Sequence, residues 1–95
     1  MNYNHITLVG TVSTLKATKI ADSYKTVITI SIDRPYRKDD GSCESDLITC
    51  VLWGKLAEVA EKYLDKGKNI LVEGRFQVED QSTFVLLENF QLLEK

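Results

Sequence analysis

The change of hydrophobic period between Leu47 and Gly74 constrains the fold more than any other feature of this sequence. The stretch begins with a period of two, which predicts a β-strand over 47–53 that ends at Trp53, the only Trp of the chain. From Lys55 to Lys66 the apolar residues follow a helical period, which predicts an amphipathic helix. Its predicted buried face comprises Leu56, Val59, Ala60, Tyr63 and Leu64. We therefore expect a strand, a short helix and a second strand.

The strand over 47–53 carries apolar residues on both faces, because successive side chains of a strand point to opposite sides. We expect Ile48, Cys50 and Leu52 to fill a core. The opposite face, which carries Leu47, Thr49 and Val51, ends in Trp53 and is free to present that ring to a ligand or a partner.

Four further segments alternate in the same way and predict strands over 5–12, 24–33, 69–78 and 83–93. The segments 13–23 and 34–45 are predicted to be a polar link and a loop. The order of three strands, a helix and two strands predicts an all-β fold. We expect a five-stranded antiparallel OB-fold barrel with one α-helix between strands 3 and 4, formed by residues 1–95 as a single domain.

Two local irregularities are expected in these strands. Gly10 predicts a bulge, a bend or a close approach of another backbone. A break in register is expected near Glu88 and Asn89.

The composition places the chain among ordinary globular proteins, with 43% hydrophobic and 27% charged residues in 95. It contains no apolar run near the roughly 18 residues of a membrane span, and its first residues lack a signal-peptide pattern. We therefore expect a cytoplasmic protein without a membrane partner. Cys43 and Cys50 are expected to be free thiols in that reducing compartment.

No phosphate-binding loop, nucleophile elbow or metalloprotease motif occurs in the sequence. The only His, His5, has no evident partner for a catalytic triad, and the Cys and His residues do not form a metal-ligand pattern. The sequence therefore predicts a protein that is not an enzyme and that needs neither a cofactor nor a metal.

The segment 34–45 concentrates positive charge around an aromatic ring, at Arg34, Tyr36, Arg37 and Lys38. It fits two interpretations: a solvated hairpin loop, or a charged arm with a ring available for stacking.

Trp53 at a strand end, with Lys55 just beyond it, favours a stacking platform beside cations. Single-stranded nucleic acid fits such a surface because its bases have free faces. The phosphates would be met by Arg34, Arg37, Lys38, Lys55 and Lys66. The net charge of −2 argues against a general polyanion binder, so this hypothesis depends on local charge. Packing of the Trp53 face against another subunit explains the same pattern equally well.

The segment LWGKLAEVAEKYLDKGKNILVEGR closely resembles the helix region of bacterial single-stranded DNA-binding proteins, and NHITLVGTV resembles their first strand. This resemblance runs from about Asn4 to Leu93. It implies an OB fold that binds single-stranded DNA without sequence preference, in replication, recombination or repair. It also implies a homo-oligomer, a tetramer or dimer, built partly by pairing of first strands.

By position, Trp53 and Tyr36 match aromatic residues that this family stacks on bases, and Lys55 and Lys66 match basic positions beside the DNA. Thr49 stands where the family often has Arg or Asn.

The chain also departs from this family's pattern. Leu47 replaces a usual Trp or Phe, the hairpin after Val78 is short, and Gln77 and Glu79 stand where Arg is common. We also expect no acidic C-terminal tail for recruiting other proteins in this chain. Because the chain has fewer of the rings and cations of the family pattern, we expect weaker DNA binding or a smaller footprint. A primosome-type accessory protein acting mainly through protein partners and a structural oligomer with negligible DNA binding remain the alternatives.

Overall fold

A computed structural model describes residues 1–93 as five strands and one helix. The elements are β1 (Ile6–Ile20), β2 (Ser23–Arg37), β3 (Cys43–Trp53), α1 (Gly54–Tyr63), β4 (Asn69–Glu79) and β5 (Ser82–Leu93). The strands form a closed barrel in the order β1-β2-β3-β5-β4. The predicted OB-fold barrel, with its helix between strands 3 and 4, is confirmed.

Four of the five strand pairings are antiparallel, and β3 pairs with β5 in parallel through Cys50 opposite Val85 and Val51 opposite Leu86. The prediction of an antiparallel barrel therefore needs one correction. Directions cannot alternate all the way around a ring with an odd number of strands, so one seam must be parallel.

The core fills the barrel with β-branched and aliphatic side chains. Cys50 and Leu52 are fully buried, as predicted, and Ile48 packs against the same cluster. The core cluster comprises Val12, Ile28, Ile30, Cys50, Leu52, Ala57, Ala60, Leu64, Ile70, Val72, Val85 and Leu87. Buried Thr26 donates a hydrogen bond from its hydroxyl to the carbonyl oxygen of Ala57 at 2.9 Å, which joins α1 to the inner side of β2.

The helix is shorter than predicted, and its buried face matches the predicted one only in part. It ends at Tyr63, not Lys66, because Leu64 takes an extended conformation and is itself buried. Ala57 and Ala60 face the barrel, whereas Tyr63 is 61% exposed. The prediction that Tyr63 belongs to the buried face is therefore wrong, whereas Ala60 and Leu64 are buried and Leu56 packs against the core, as predicted. No helix among residues 1–93 is long and apolar enough to cross a membrane.

β1, β2 and β3 are longer than the sequence indicates. The predicted link over 13–23 contains the second half of β1, and the predicted loop over 34–45 contains the end of β2 and the start of β3. The added residues of β2 and β3 are mostly exposed and show no apolar alternation. The added half of β1 pairs with β2, where Leu15 packs against the core, and its last residues, Thr18–Ile20, are exposed. Pro35 lies where the ladder is interrupted between Asp33 and Arg37, so its missing N–H breaks no regular pairing.

Both predicted irregularities are confirmed. A Cβ atom at Gly10 would lie 2.7 Å from the carbonyl oxygen of Ser31, which shows a close backbone approach. The register between β4 and β5 shifts between Glu73 and Gly74, and Glu88 is left without an opposite residue.

Candidate nucleic-acid interface

A cleft of about 500 Å³ opens where the β2–β3 sheet and the β4–β5 hairpin diverge from the parallel seam. Val51 and Leu86, paired at that seam, belong to its lining and form its floor. The cleft is lined by Lys25, Val27, Thr49, Val51, Trp53, Gln77, Glu79, Ser82, Thr83, Phe84 and Leu86. Apolar side chains at the base and polar ones at the rim suit a ligand that has a flat apolar part and a charged part.

Trp53 stands at the end of β3 with 49% of its surface exposed. Gly54 follows it with φ at +67°, a conformation that favours glycine, and this lets the chain pass from the strand directly into α1. The indole is therefore held at the junction of two regular elements. Such a ring is available for stacking and loses little conformational freedom when a ligand binds.

Lys25 lies opposite Trp53 in the β2–β3 register, and its Nζ atom is 5.1 Å from the centroid of the indole ring. This is a cation–π contact that places positive charge beside the ring. Sequence reasoning missed Lys25. The signal was present, because continuing the outward alternation of Val27 and Thr29 back by two residues reaches it.

Thr49 lies in the cleft, exposed and opposite Thr29 of β2, on the same face as Trp53. Val51 lies between them but is only 6% exposed, because the parallel seam with β5 covers it. The structure therefore brings together Trp53 and Thr49 from the predicted set. Phe84, on the hairpin wall, adds an aromatic ring that the sequence pattern did not single out.

Two of the three predicted cations of the arm, Arg34 and Lys38, are engaged with carboxylates. Arg34 donates to Asp46 through Nε at 3.2 Å and Nη2 at 2.9 Å, and to Glu44 through Nη1 at 3.1 Å. Lys38 pairs with Glu44 at 3.2 Å. The hydrogen bonds from Arg34 hold the pKa of Asp46 below its usual range. Part of the positive charge of this arm is therefore neutralised within the protein.

Tyr36 belongs to this arm and not to the cleft. Its hydroxyl oxygen lies 3.5 Å from Nη1 of Arg34, and Arg34 in turn donates to Asp46. Tyr36 therefore lies on the face of the β2–β3 ribbon that carries Asp46. Trp53 points to the opposite face, because residues of odd and even number alternate along β3. Tyr36 also lies eleven residues along β2 from Lys25, roughly 35 Å at about 3.3 Å per residue. The two rings predicted to stack on bases therefore belong to separate surfaces.

The remaining predicted cations divide between two ends of the helix. Lys55 lies in the first turn of α1, two residues after Trp53, with its Nζ atom 3.8 Å from Glu58. Lys66 follows the other end, about 15 Å away along a ten-residue helix. There the neighbouring Gly67 donates its N–H to the carbonyl oxygen of Val12. Lys55 is thus close to the cleft and Lys66 is not.

The remaining arm cation, Arg37, donates to the carbonyl oxygen of Gly41 at 3.0 Å.

Both cysteines are free thiols. Cys43 is exposed on the arm, whereas Cys50 is buried, and burial raises the pKa of its thiol to about 12. Among the described residues 1–93, no group of three or more His, Cys, Asp or Glu side chains is arranged to hold a metal ion.

Comparison with known proteins identifies one family model and several similar bacterial proteins. Residues 3–84 match the model of the single-strand binding protein family. The chain is 38% identical over 76 residues to single-stranded DNA-binding protein 1 of Streptococcus pyogenes, an alignment that covers 70% of this chain and 58% of that protein. It is 36% identical to the single-stranded DNA-binding protein of Enterococcus faecalis, covering 96% of this chain and 54% of the other.

A third relative, single-stranded DNA-binding protein 2 of Streptococcus agalactiae, is 33% identical, with 97% of this chain and 78% of that protein covered. The chain thus spans a little over half the length of the first two relatives.

Proposed function

We propose, because the chain belongs to the single-strand binding protein family, that it binds single-stranded DNA without sequence preference through the cleft at Trp53. The activity is binding alone, with no catalytic step. It fits a protein that coats exposed single strands in the cytoplasm during replication, recombination or repair.

One observation carries this proposal: the half-exposed ring of Trp53 lies at the cleft with the ammonium group of Lys25 beside it. A base stacked on such a ring contributes about 1–3 kcal/mol, and every base has a face that can stack. The adjacent ammonium group is suited to a phosphate. A base inside a duplex cannot reach the ring without leaving its own stack, so the arrangement favours single strands.

Phosphate contacts extend this surface. Lys55 lies next to the cleft, and a second patch on the arm carries Arg34, Tyr36, Arg37 and Lys38. Since Arg34 and Tyr36 lie on the opposite face of the β2–β3 ribbon, a strand that contacts both them and the cleft must wrap around the edge of the domain. Lys66 would be reached only by a longer path along the helix. Site sizes of about 4–16 nucleotides per OB fold accommodate such a path.

We also propose that the protein works as a homo-oligomer, a dimer or a tetramer. The segment Ile6–Gly10 pairs with β4, whereas the ladder between β1 and β2 begins only at Thr11. Within residues 1–93, the second edge of Ile6–Gly10 therefore has no partner strand, and Val9 is 52% exposed there. An unpaired edge is a template for pairing with another chain, which supports a contact between first strands.

The test is a binding measurement with a fluorescently labelled oligo-dT, followed by anisotropy. We expect saturable binding at low salt that unlabelled oligo-dT competes away and an equal length of duplex does not. No binding at low salt would contradict the proposal.

Size-exclusion chromatography of Trp53→Ala distinguishes base stacking from the alternative that Trp53 packs against another subunit. An unchanged oligomer with lost binding supports stacking. Dissociation into monomers would instead support a role of Trp53 as a subunit contact.

A further inference from the structure

The two walls of the cleft carry opposite charges. The β2–β3 wall contributes Lys25, and the hairpin wall contributes Glu79 at the end of β4. Gln77 lies two residues before Glu79 on the same face of β4, and its Nε2 atom donates to Oε2 of Glu79 at 2.6 Å. This contact fixes the carboxylate at the rim of the cleft. A negative charge therefore lies at the rim of the cleft that is proposed to receive a polyanion.

The positive wall continues away from the cleft across the sheet. Lys16 of β1 lies opposite Val27 of β2, which in turn lies opposite Val51 of β3. Residues directly opposite each other on paired strands share one face, so Lys16 is on the same face as the cleft floor and as Lys25. Lys16 is exposed. The outer face thus offers two cations on the β1–β2 side. On the hairpin side it carries Arg75, which is exposed and lies opposite Leu86 of the floor, and Glu79 at the rim.

We propose that Glu79 positions the single strand and limits its affinity. Repulsion from its carboxylate keeps the phosphates off the rim of the hairpin wall at the end of β4 and favours a track along Lys25 and Lys16. The bases are thereby directed toward Trp53 and the cleft floor. This inference rests on the proposed function and adds to it the side of the cleft on which the backbone runs.

The direct test is Glu79→Gln, which removes the charge while keeping the size of the side chain. We expect oligo-dT to bind roughly twofold more tightly at low salt, the factor for two unit charges about 8 Å apart in water. Glu61→Gln is the matched control, because Glu61 is an exposed carboxylate on α1 outside the lining of the cleft. That variant should bind as the parent protein does. Thermal melts of both variants check that each is folded.

Two further measurements separate a charge effect from a structural one. An oligo-dT with an uncharged methylphosphonate backbone should bind Glu79→Gln and the parent protein equally, because it has no phosphate charge to repel. Lys16→Gln should reduce the slope of log affinity against log salt by about 0.7, the value for one phosphate contact on a single strand.

The outcomes are distinguishable. If the parent protein binds oligo-dT but Glu79→Gln binds no more tightly, the positioning role is overturned and the proposed function stands. The positioning role is likewise overturned if the gain persists with the methylphosphonate strand, or if Lys16→Gln leaves the slope unchanged. If the parent protein binds no oligo-dT at low salt, the proposed function itself is overturned, and this inference falls with it.

Discussion

Lys25 and Trp53 face each other across the β2–β3 ladder, with the ammonium nitrogen 5.1 Å from the centroid of the indole ring. One residue brings the charge that a phosphate requires, and the other brings the ring on which a base stacks. Since each side chain orients the other, substitutions at the two positions should not be additive.

Trp53→Ala tests the stacking contact. Loss of one stacked base should cost about 1–3 kcal/mol, or roughly a 5- to 150-fold rise in Kd, measured by anisotropy of a labelled oligo-dT. Tyr63→Ala is the control, because Tyr63 is an exposed aromatic residue on α1 outside the cleft lining. Equal losses in both variants would show that exposed rings act nonspecifically.

Lys25→Gln tests the charge beside the ring. The variant should bind oligo-dT more weakly, and its salt dependence should be shallower by about 0.7 in log–log slope. Lys62→Gln removes a charge from the last turn of α1, outside the cleft lining, and should leave the slope unchanged. An unchanged slope in Lys25→Gln would mean that no phosphate contacts this residue.

The ion pair of Arg34 with Asp46 predicts a pH dependence of the arm. The hydrogen bonds from Arg34 lower the pKa of Asp46 in the folded protein. Stability from this contact is therefore fully present above the unfolded pKa, about 4, and is lost as pH falls through the lowered folded value. We expect faster hydrogen exchange of the arm amides in acid than at neutral pH, relative to the intrinsic rates. Asp46→Asn should reduce that difference, leaving the part that comes from the pairs of Glu44 with Arg34 and Lys38. An undiminished difference in the variant would contradict the assignment.

Gly74→Ala tests the close backbone approach at the β-bulge between β4 and β5. A Cβ atom at this position would collide with the carbonyl oxygen of Leu86, which belongs to the strand backbone and cannot rotate away. We expect the free energy of unfolding to fall by about 1–3 kcal/mol in urea titrations, as for overpacked cores. Gly41→Ala meets no atom within 4 Å and carries only the cost of its left-handed φ. It should therefore cost less, and the reverse order would contradict the close approach.

The two thiols should differ in reactivity. Cys43 is exposed, whereas burial excludes reagents from Cys50 and raises its pKa to about 12. Only the thiolate is an effective nucleophile, so a disulfide reagent at neutral pH should titrate one thiol in the native protein. After unfolding it should titrate two. Two fast thiols in the native state would contradict the burial of Cys50.

The sequence predicts the barrel well where one face of each strand is apolar. Cys50 and Leu52 both point into the core, because burial of one face imposes a period of two on the apolar residues. The register break near Glu88 is predictable because the apolar alternation of β5 is interrupted there. The ends of β1, β2 and β3 could not be predicted in this way. Their outermost residues are exposed and are held by the backbone ladders, so the polarity of their side chains carries little signal.

The candidate site was predictable only in part. Trp53 and Thr49 follow from alternation along one strand, and Lys25 required the register between two strands. The partition of Tyr36 and Arg34 onto the other face depends on tertiary geometry, as does the pairing of Arg34 with Glu44 and Asp46. Charge counting along the chain cannot reveal that these cations already have partners.

The fluorescence of Trp53 tests the central claim most directly, since this is the only Trp of the chain and its ring is the proposed stacking surface. Titration with oligo-dT should quench the emission to saturation, and salt should weaken the effect with a log–log slope near −0.7 per phosphate contact. An equal length of duplex should leave the emission unchanged. Binding of oligo-dT without quenching, or equal quenching by the duplex, would contradict base stacking on Trp53.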